Sequence, residues 1–263
     1  MRRLTFFIKG NVDVRDSLHS CRIGGELVWN GINDVLRASH PGCTARVKHE
    51  TLTRSDALLH GDGTIPEALS SRSLPLGAYP LASQFSRAIF ETKADVIVLA
   101  IQSDIATGLV RHRKQGFLFY ASESGQWSAE DRQWLKSDFE PLGHLEVAES
   151  MSNFTAIIEK IRMQSEAPIL IYNMSPITPG ETIHCFQGIG ETYSTRIRKF
   201  NLGLIELSEK TGISIIDIDT LLARKGTDEL KLDTVHLTAP GYRLVAEEVV
   251  RVLADLGLLD ATT

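Results

Sequence analysis

The chain has 263 residues, of which 43% are hydrophobic and 23% charged, and its formal net charge at pH 7 is −5. These proportions are those of an ordinary globular protein and exclude a disordered or fibrous chain. Phosphate binding needs a concentrated positive field, and no stretch of this acidic chain supplies one, so a nucleic-acid partner is not expected.

The first residues form a short apolar run, Leu4–Ile8, behind two arginines. The run is too short for a signal-peptide core and lacks a small-residue cleavage site, so it predicts the first strand. No apolar run approaches the roughly 20 residues that cross a bilayer, so no membrane partner is expected. Cys21, Cys43 and Cys185 are widely spaced, which is typical of reduced thiols and favours a cytoplasmic location.

Short apolar runs alternate with longer amphipathic segments along the chain, which is typical of a parallel sheet whose strands are joined by helices. The apolar runs predict strands at Leu4–Ile8, Ala45–Lys48, Ala94–Ile101, Pro168–Asn173 and Ile213–Ile218. The amphipathic segments predict helices at Arg15–Ala38, Leu81–Thr92, Leu145–Gln164, Ser194–Thr211 and Ala239–Leu256. We therefore predict a single α/β domain over residues 1–263, with a three-layer α/β/α, flavodoxin-like fold and a central parallel sheet of about five strands.

The least regular stretches are expected to form the walls and lids of a site beyond the carboxyl ends of the strands. They are residues 55–79, 107–143 and 175–191. His60 and Asp62 lie in a Gly-rich stretch that predicts a turn, and His184-Cys185 is interpreted as carrying a buried thiol. No metal and no cofactor are predicted.

A polar motif precedes the last predicted helix: Asp233 stands three residues before His236, and Thr238-Ala239-Pro240-Gly241-Tyr242 follows. An Asp at this spacing can accept a hydrogen bond from one imidazole nitrogen and leave the other nitrogen free to act as a base. Alternatively, Thr238 caps the helix, Pro240 occupies its first turn, and the Asp and His are ordinary loop residues.

The order of these features resembles that of the SGNH (GDSL-type) hydrolase family over nearly the whole chain. The matching features are a strand ending at Gly10, a central strand ending in Ser103-Asp104, the segments Asn173-Met174-Ser175-Pro176, Arg198-Lys199-Phe200-Asn201 and Ile215-Ile216-Asp217, and the Asp-X-X-His motif. The resemblance implies the SGNH-hydrolase fold and a Ser-His-Asp triad, with an oxyanion hole made by the serine N–H, a glycine and an asparagine. Asp233 and His236 fall on the family's Asp and His.

The nucleophile block departs from the family pattern. The strand end reads Gly10-Asn11-Val12 where the family has Gly-Asp-Ser, and a valine cannot attack a substrate. A second register, Asp16-Ser17-Leu18, makes Ser17 the nucleophile. Alternatively, Ser17 is an ordinary serine in the first helical turn, where Asp16 complements the helix dipole.

The oxyanion blocks are altered as well. Ser103 takes the place of the family's asparagine, and either its hydroxyl or the Gln102 amide can donate a hydrogen bond. Alternatively, Ser103 and Asp104 cap the following helix. Arg54 either clamps an anionic substrate or is a surface charge. The predicted oxyanion or substrate-binding residues are Gly10, Asn11, Asp13, Gln102, Ser103 and Arg54.

The leading expectation is hydrolysis or transfer of an acyl group at an ester or thioester, with His236 as base, Asp233 as its orienting partner and Ser17 as nucleophile. One alternative is an enzyme of a specialised biosynthetic pathway that uses the His-Asp pair without a covalent serine intermediate. The other is a non-catalytic, ligand-binding member. The expected partner is a small-molecule or acyl-carrier-linked substrate, and the oligomeric state is not predicted.

Overall fold

The computed structural model describes residues 2–176 and 190–260, so His184 and Cys185 lie outside the described residues. The described chain forms two compact units. The first unit comprises Met1–His49, Lys93–Gln102 and Glu166–Thr263, and the second comprises Glu50–Thr92 and Ser103–Ser165. The single-domain assignment stays a prediction.

Ten strands are present in the described residues. They are β1 Arg2–Lys9, β2 Cys21–Ile23, β3 Glu26–Trp29, β4 Cys43–Glu50, β5 Val96–Ala100, β6 Val110–His112, β7 Leu118–Phe119, β8 Phe139–Pro141, β9 Ile169–Tyr172 and β10 Ser214–Ile216. Within the described part of the chain, the central sheet has five strands in the order β4-β1-β5-β9-β10, and β1, β5, β9 and β10 pair in parallel. Counted along the chain this is the order 2-1-3-4-5 of flavodoxin-like folds, as predicted.

Helices connect and flank these strands. Those in residues 2–176 and 190–260 are α1 Val12–Leu18, α2 Ile32–Ser39, α3 Ser55–His60, α4 Glu67–Ser70, α5 Leu81–Gln84, α6 Gln102–Ala106, α7 Ala129–Asp138, α8 Val147–Arg162, α9 Tyr193–Thr211, α10 Ile218–Lys225 and α11 Ala239–Asp255, with 3₁₀ turns at Ala88–Phe90 and Ser124–Gln126. A helix crosses a bilayer only with about 20 predominantly apolar residues. None of the helices described reaches that length and apolarity.

The core of the first unit lies on the central sheet. Alternate residues of a strand face opposite sides, and both sides are buried here. One side packs with α1, α2 and α11 and presents Leu4, Phe6, Ile8, Val96, Val98, Ala100, Leu170, Tyr172 and Ile216. The opposite side presents Phe7, Ile97, Leu99, Ile169 and Ile171. Burial on both sides explains why the central strands are apolar throughout.

The second unit has its own core. Its sheet, as far as the structure describes it, has the order β7-β6-β8 and is antiparallel. The side chains packed in this core are mainly aromatic: Phe85, Phe119, Trp127 and Phe139, with Leu69 and Leu76. Helices α3 and α8 of this unit contact each other.

The predicted elements differ from the observed ones most at residues 15–38. The prediction of one amphipathic helix there was wrong, because the chain forms α1, the hairpin β2-β3 and then α2. Gly24 and Gly25 adopt φ values of 58° and 90°, which side chains rarely tolerate, and so they make the hairpin turn. Cys21 and Cys43 are buried free thiols.

Candidate active site

A small pocket lies within the first unit, at residues that follow the carboxyl ends of its parallel strands. Its volume is about 20 Å³, enough for one water molecule. The lining residues follow β1, β5, β9 and β10 or belong to the loop before α11: Asp13, Gln102, Asn173, Met174, Ser175, Ile218, Lys231, Thr234, Val235 and Leu237. Ligands of open α/β sheets bind at this edge.

The Asp-X-X-His loop forms a closed turn beside this pocket. Lys231 and Leu237 pair as an antiparallel bridge, and the N–H of Leu232 donates to the carbonyl of His236 at 2.9 Å. The hydroxyl of Thr238 accepts the N–H of Gly241 at 3.3 Å and caps α11. Helix capping and the Asp-His pair, which the sequence offered as alternatives, therefore occur together.

Asp233 holds the His236 imidazole by its Nδ1 atom. The distances from Nδ1 to the two carboxylate oxygens are 2.9 and 2.8 Å. The same carboxylate accepts the backbone N–H groups of Val235 and His236 at 2.8 and 2.9 Å. Burial acts to raise the pKa of Asp233, but these donors outweigh it and hold the pKa below its ordinary value. The carboxylate is therefore ionised and fixes the imidazole orientation.

The other imidazole nitrogen of His236 is open. No hydrogen bond from a described residue reaches Nε2. The side chain is 44% exposed, against 30% for Asp233. With Nδ1–H donating to the carboxylate, Nε2 carries the lone pair of a neutral imidazole and can accept a proton.

Ser17 is placed differently. It is fully buried near the end of α1, not in its first turn as one reading of the sequence had it. Its hydroxyl lies 2.7 Å from the carbonyl of Asp13 and 3.1 Å from the Tyr172 hydroxyl. Burial raises the pKa of Tyr172, so its hydroxyl stays protonated. Because the Ser17 hydroxyl donates to the Asp13 carbonyl, its oxygen accepts the hydrogen bond from the Tyr172 hydroxyl. No hydrogen bond joins Ser17 to His236 in the described structure, and the nucleophile assignment stays a prediction.

The junction between β1 and α1 needs a glycine. A Cβ atom on Gly10 would lie 2.5 Å from Cγ2 of Val14. The Gly10 carbonyl accepts a hydrogen bond from Nε2 of His49 at 2.9 Å. Asn11 is buried beside this junction. Gly10 thus allows the helix to start directly after the strand, and this brings Asp13 to the pocket.

Asp13 is half-buried in the pocket wall. Its Oδ1 accepts the backbone N–H groups of Val14 at 2.8 Å and of Asn11 at 3.2 Å. Burial raises its pKa to about 6, because these two N–H groups offset only part of the cost of burying the charge. A carboxyl group with this pKa exchanges its proton near neutral pH.

Of the two candidates at the end of β5, Gln102 lines the pocket, and Ser103 is not among the lining residues. The Gln102 Oε1 atom is buried and has no hydrogen-bond partner among the described residues. Ser103 belongs to the second unit, where its hydroxyl donates to the Leu52 carbonyl at 2.7 Å. Ser103 and Asp104 lie inside α6 and do not cap it. Asp104 instead accepts hydrogen bonds from Ser55 and Ser150.

Arg54, also in the second unit, is buried rather than a surface charge. It makes a two-pronged ion pair with Asp56, with N–O distances of 2.9 and 2.5 Å. A further guanidinium nitrogen lies 2.7 Å from the Gly143 carbonyl and 3.4 Å from that of Thr107. Contact between Arg54 and an anionic substrate stays a prediction, and such a substrate would compete with these partners.

Sequence reasoning missed Asn173 and Ser175 as pocket residues. The Asn173 amide donates to Asp217 at 2.7 Å, and its oxygen accepts the N–H of Asp219 at 3.3 Å. Asp217 in turn caps α10 through Thr220. The sequence does mark these two residues as following a strand, because polar side chains come directly after the fully apolar strand Ile169–Tyr172.

The described residues contain no group of three or more His, Cys, Asp or Glu side chains placed to hold a metal ion.

Comparison with known proteins gives the fold. The sequence matches no protein-family model and no curated protein. Among solved structures, the chain is similar to LAE5, an α/β hydrolase enzyme from the metagenome of Lake Arreo, at 15% identity and a TM-score of 0.54, covering 98% of this chain and 97% of that chain. It is also similar to Est24, a carbohydrate acetylesterase from Sinorhizobium meliloti, at 8% identity and a TM-score of 0.53, covering 97% and 100%. A third structure, assigned as a GDSL-like lipase from Parabacteroides merdae, has 10% identity and a TM-score of 0.52, covering 98% and 97%. The chain thus has the α/β fold of the SGNH hydrolases.

Proposed function

We propose that this protein is a divergent SGNH-type hydrolase that cleaves an ester or thioester of a small molecule, with His236 as general base and Asp233 as its orienting partner. The observation that carries the proposal is the imidazole of His236, whose Nδ1 is held by an ionised carboxylate while Nε2 stays open. The loop that carries this pair lines a pocket at the edge of the sheet where α/β folds bind ligands. Open α/β folds host many chemistries, so the proposed reaction rests on the residues of the site and not on the fold.

The proposed reaction begins with a water molecule next to Nε2. His236 takes a proton from the water as its oxygen attacks the substrate carbonyl carbon. Asp233 stabilises the imidazolium that forms. The Gln102 amide, in the pocket wall, donates a hydrogen bond to the developing oxyanion in place of the family's asparagine. Collapse of the tetrahedral intermediate then releases the acid and an alcohol or thiol.

Water is favoured over Ser17 as the nucleophile because of the contacts of the serine hydroxyl. Its proton lies toward the Asp13 carbonyl, and the Tyr172 hydroxyl donates to its oxygen. Attack by Ser17 would require both hydrogen bonds to break and the fully buried hydroxyl to become accessible to substrate. Val12, at the serine position of the other register, has no nucleophilic atom. The proposal therefore follows the reading in which the His-Asp pair acts without a covalent serine intermediate.

Ester hydrolysis by purified protein tests the proposal. A suitable panel has short-chain and acetylated-sugar esters, since one structure with this fold is a carbohydrate acetylesterase, and thioesters of the same acids. His236→Ala should abolish turnover of every substrate that the wild type cleaves. His19→Ala is the matched control, because His19 is exposed and lies outside the pocket. Wild-type turnover that survives His236→Ala would refute the proposed base.

A covalent serine probe tests the choice of nucleophile. A fluorophosphonate should leave the active wild-type protein unlabelled. Labelling that disappears in Ser17→Ala would restore Ser17 as nucleophile, and labelling that disappears in Ser175→Ala would move that role to the pocket serine. If the wild type binds ligands but cleaves no member of the panel, the protein is a binding module and the enzyme proposal fails.

A further inference from the structure

Asp13 shares the candidate pocket with the residues on either side of His236. Thr234, Val235 and Leu237 line the same small space as the Asp13 side chain. Most of the remaining wall is apolar or already hydrogen-bonded, and Lys231, the one cation among the lining residues described, donates to the Pro176 carbonyl at 2.8 Å. The pocket thus places a second carboxyl group beside the loop that carries the proposed base and its orienting partner.

The hydrogen bonds of Asp13 leave part of its carboxyl group available. Oδ1 receives both backbone donors, Val14 and Asn11. Among the described residues, no Lys, Arg or His forms an ion pair with this carboxyl group. The backbone N–H groups of Val14 and Asn11 both go to Oδ1, so Oδ2 can carry the proton of the neutral acid.

The groups around Asp13 favour its protonated form. Asp16 on the same helix repels its negative charge. From the neighbouring elements, Tyr172 and Tyr242 face Asp13: burial is the main cause of their raised pKa values, and the charge of Asp13 adds to it, so both hydroxyls are neutral. Lys231 would favour the ionised form but is held by the Pro176 carbonyl. With burial as the largest cause, the pKa of Asp13 rises to about 6.

We propose that Asp13 is the general acid of this site, which protonates the leaving oxygen as the tetrahedral intermediate collapses. The inference rests on the proposed hydrolase function. The bond between the acyl carbon and the leaving oxygen breaks, its electron pair goes to that oxygen, and the Oδ2 proton of Asp13 completes the alcohol. The proton that His236 took from water leaves the imidazolium to solvent, and Asp13 regains one from solvent, so the cycle closes.

Two separate groups suit this reaction. The attacking water needs a base on one side of the carbonyl carbon, and the leaving oxygen needs an acid on the opposite side. Paired titratable groups with different environments are a common way of dividing these roles. His236 is half-exposed and paired with a carboxylate, whereas Asp13 is half-buried and unpaired with any cation that the structure describes.

The test is leaving-group dependence in Asp13→Asn, which keeps the Oδ1 acceptor for Asn11 and Val14. An acetate ester of an alkyl alcohol needs a proton on its leaving oxygen, whereas an aryl ester such as p-nitrophenyl acetate departs as a stable anion. Asp13→Asn should lower kcat for the alkyl ester by about 10²-fold or more and leave kcat for the aryl ester unchanged. Alkyl-ester turnover by the wild type should also fall as pH rises through about 6, and the variant should lose that dependence.

Each other outcome is informative. Equal losses on both esters would show that Asp13 only maintains the fold, and unchanged kcat on both would show that it takes no part, so either result overturns the assignment while hydrolysis itself stands. A wild type that cleaves neither ester overturns the proposed function, and the role of Asp13 falls with it. Turnover of the aryl ester by His236→Ala is measured alongside. If this variant loses it, hydrolysis at the site stands, and a failed result with Asp13→Asn then counts against the role of Asp13 alone.

Discussion

Replacing Asp233 by asparagine isolates its effect on the imidazole from its effect on the loop. Asparagine keeps an oxygen for the N–H groups of Val235 and His236, which lie 2.8 and 2.9 Å from Oδ1. Its NH₂ group replaces the oxygen 2.8 Å from Nδ1 of His236 and can only donate there. This donor favours the tautomer with the proton on Nε2, where the imidazole cannot accept one from water, although the retained oxygen, 2.9 Å from Nδ1, still competes for the Nδ1 proton.

The expected loss follows from this change of tautomer. General-base catalysis is worth about 10²- to 10⁴-fold. The His236 side chain is 44% exposed, so solvent also hydrates the ring, and we expect the lower part of that range. Asp233→Asn should lower kcat by about 10²- to 10³-fold, which is about 3–4 kcal/mol of barrier. The free energy of unfolding should change by less than about 1 kcal/mol, because the loop hydrogen bonds persist.

Steady-state ester hydrolysis and urea unfolding of the same preparations provide the two readouts. Asp228→Asn is the matched control, because it removes one negative charge from an exposed residue outside the pocket. It should leave both readouts unchanged. Turnover by Asp233→Asn at the wild-type level would refute the orienting role, and a large loss of stability would show that the carboxylate mainly holds the loop.

Three further changes test other parts of the account. Ser17→Ala should keep wild-type kcat. It should lower the free energy of unfolding by about 1–3 kcal/mol, because the buried Tyr172 hydroxyl loses its hydrogen bond to Ser17. Lost turnover in a stable variant would contradict this. Gly10→Ala should cost about 1–3 kcal/mol through its contact with Val14, and Val14→Ala in the same chain should restore part of that loss in thermal unfolding. Burial raises the pKa of Asp104 from 3.8 to about 6, so its protonated form stabilises the fold at low pH and that contribution is lost as pH rises through about 6. The unfolding free energy of the wild type relative to Asp104→Asn should therefore fall by about 2 kcal/mol between pH 4 and about pH 7, and a constant difference would contradict the raised pKa.

The sheet could be predicted from the sequence because its strands are buried on both sides. All five predicted strands correspond to observed ones, and the apolar runs Val96–Ala100 and Ile169–Tyr172 match most closely. The helix predicted over residues 15–38 failed for a local reason. Apolar residues of α1, of the hairpin and of α2 all pack into one core, so their spacing imitates a single amphipathic helix although two glycines turn the chain between them.

The candidate site was predictable only in part. Asp233 and His236 are three residues apart, so a local motif reveals their contact. The places of Ser17 and Asp13 depend on where α1 begins, and sequence alone leaves that register open. The choice between Gln102 and Ser103 depends on which side chain faces the pocket at a strand end. The position of Asn173 and Ser175 directly after an apolar strand marks them as strand-end residues, but the order of the strands, which brings them to this pocket, is not contained in any local pattern.

Rapid-quench intact-mass analysis during ester turnover tests the central claim most directly. Wild-type protein mixed with an acetyl ester that it cleaves is quenched while turnover continues, and its mass is compared with that of His236→Ala treated in the same way. If His236 activates water, the wild type releases acetate while the protein mass stays that of the unmodified chain, and His236→Ala releases none. An acetyl group found on the wild-type chain during turnover, at Ser17 or at any other residue, would contradict direct attack by water.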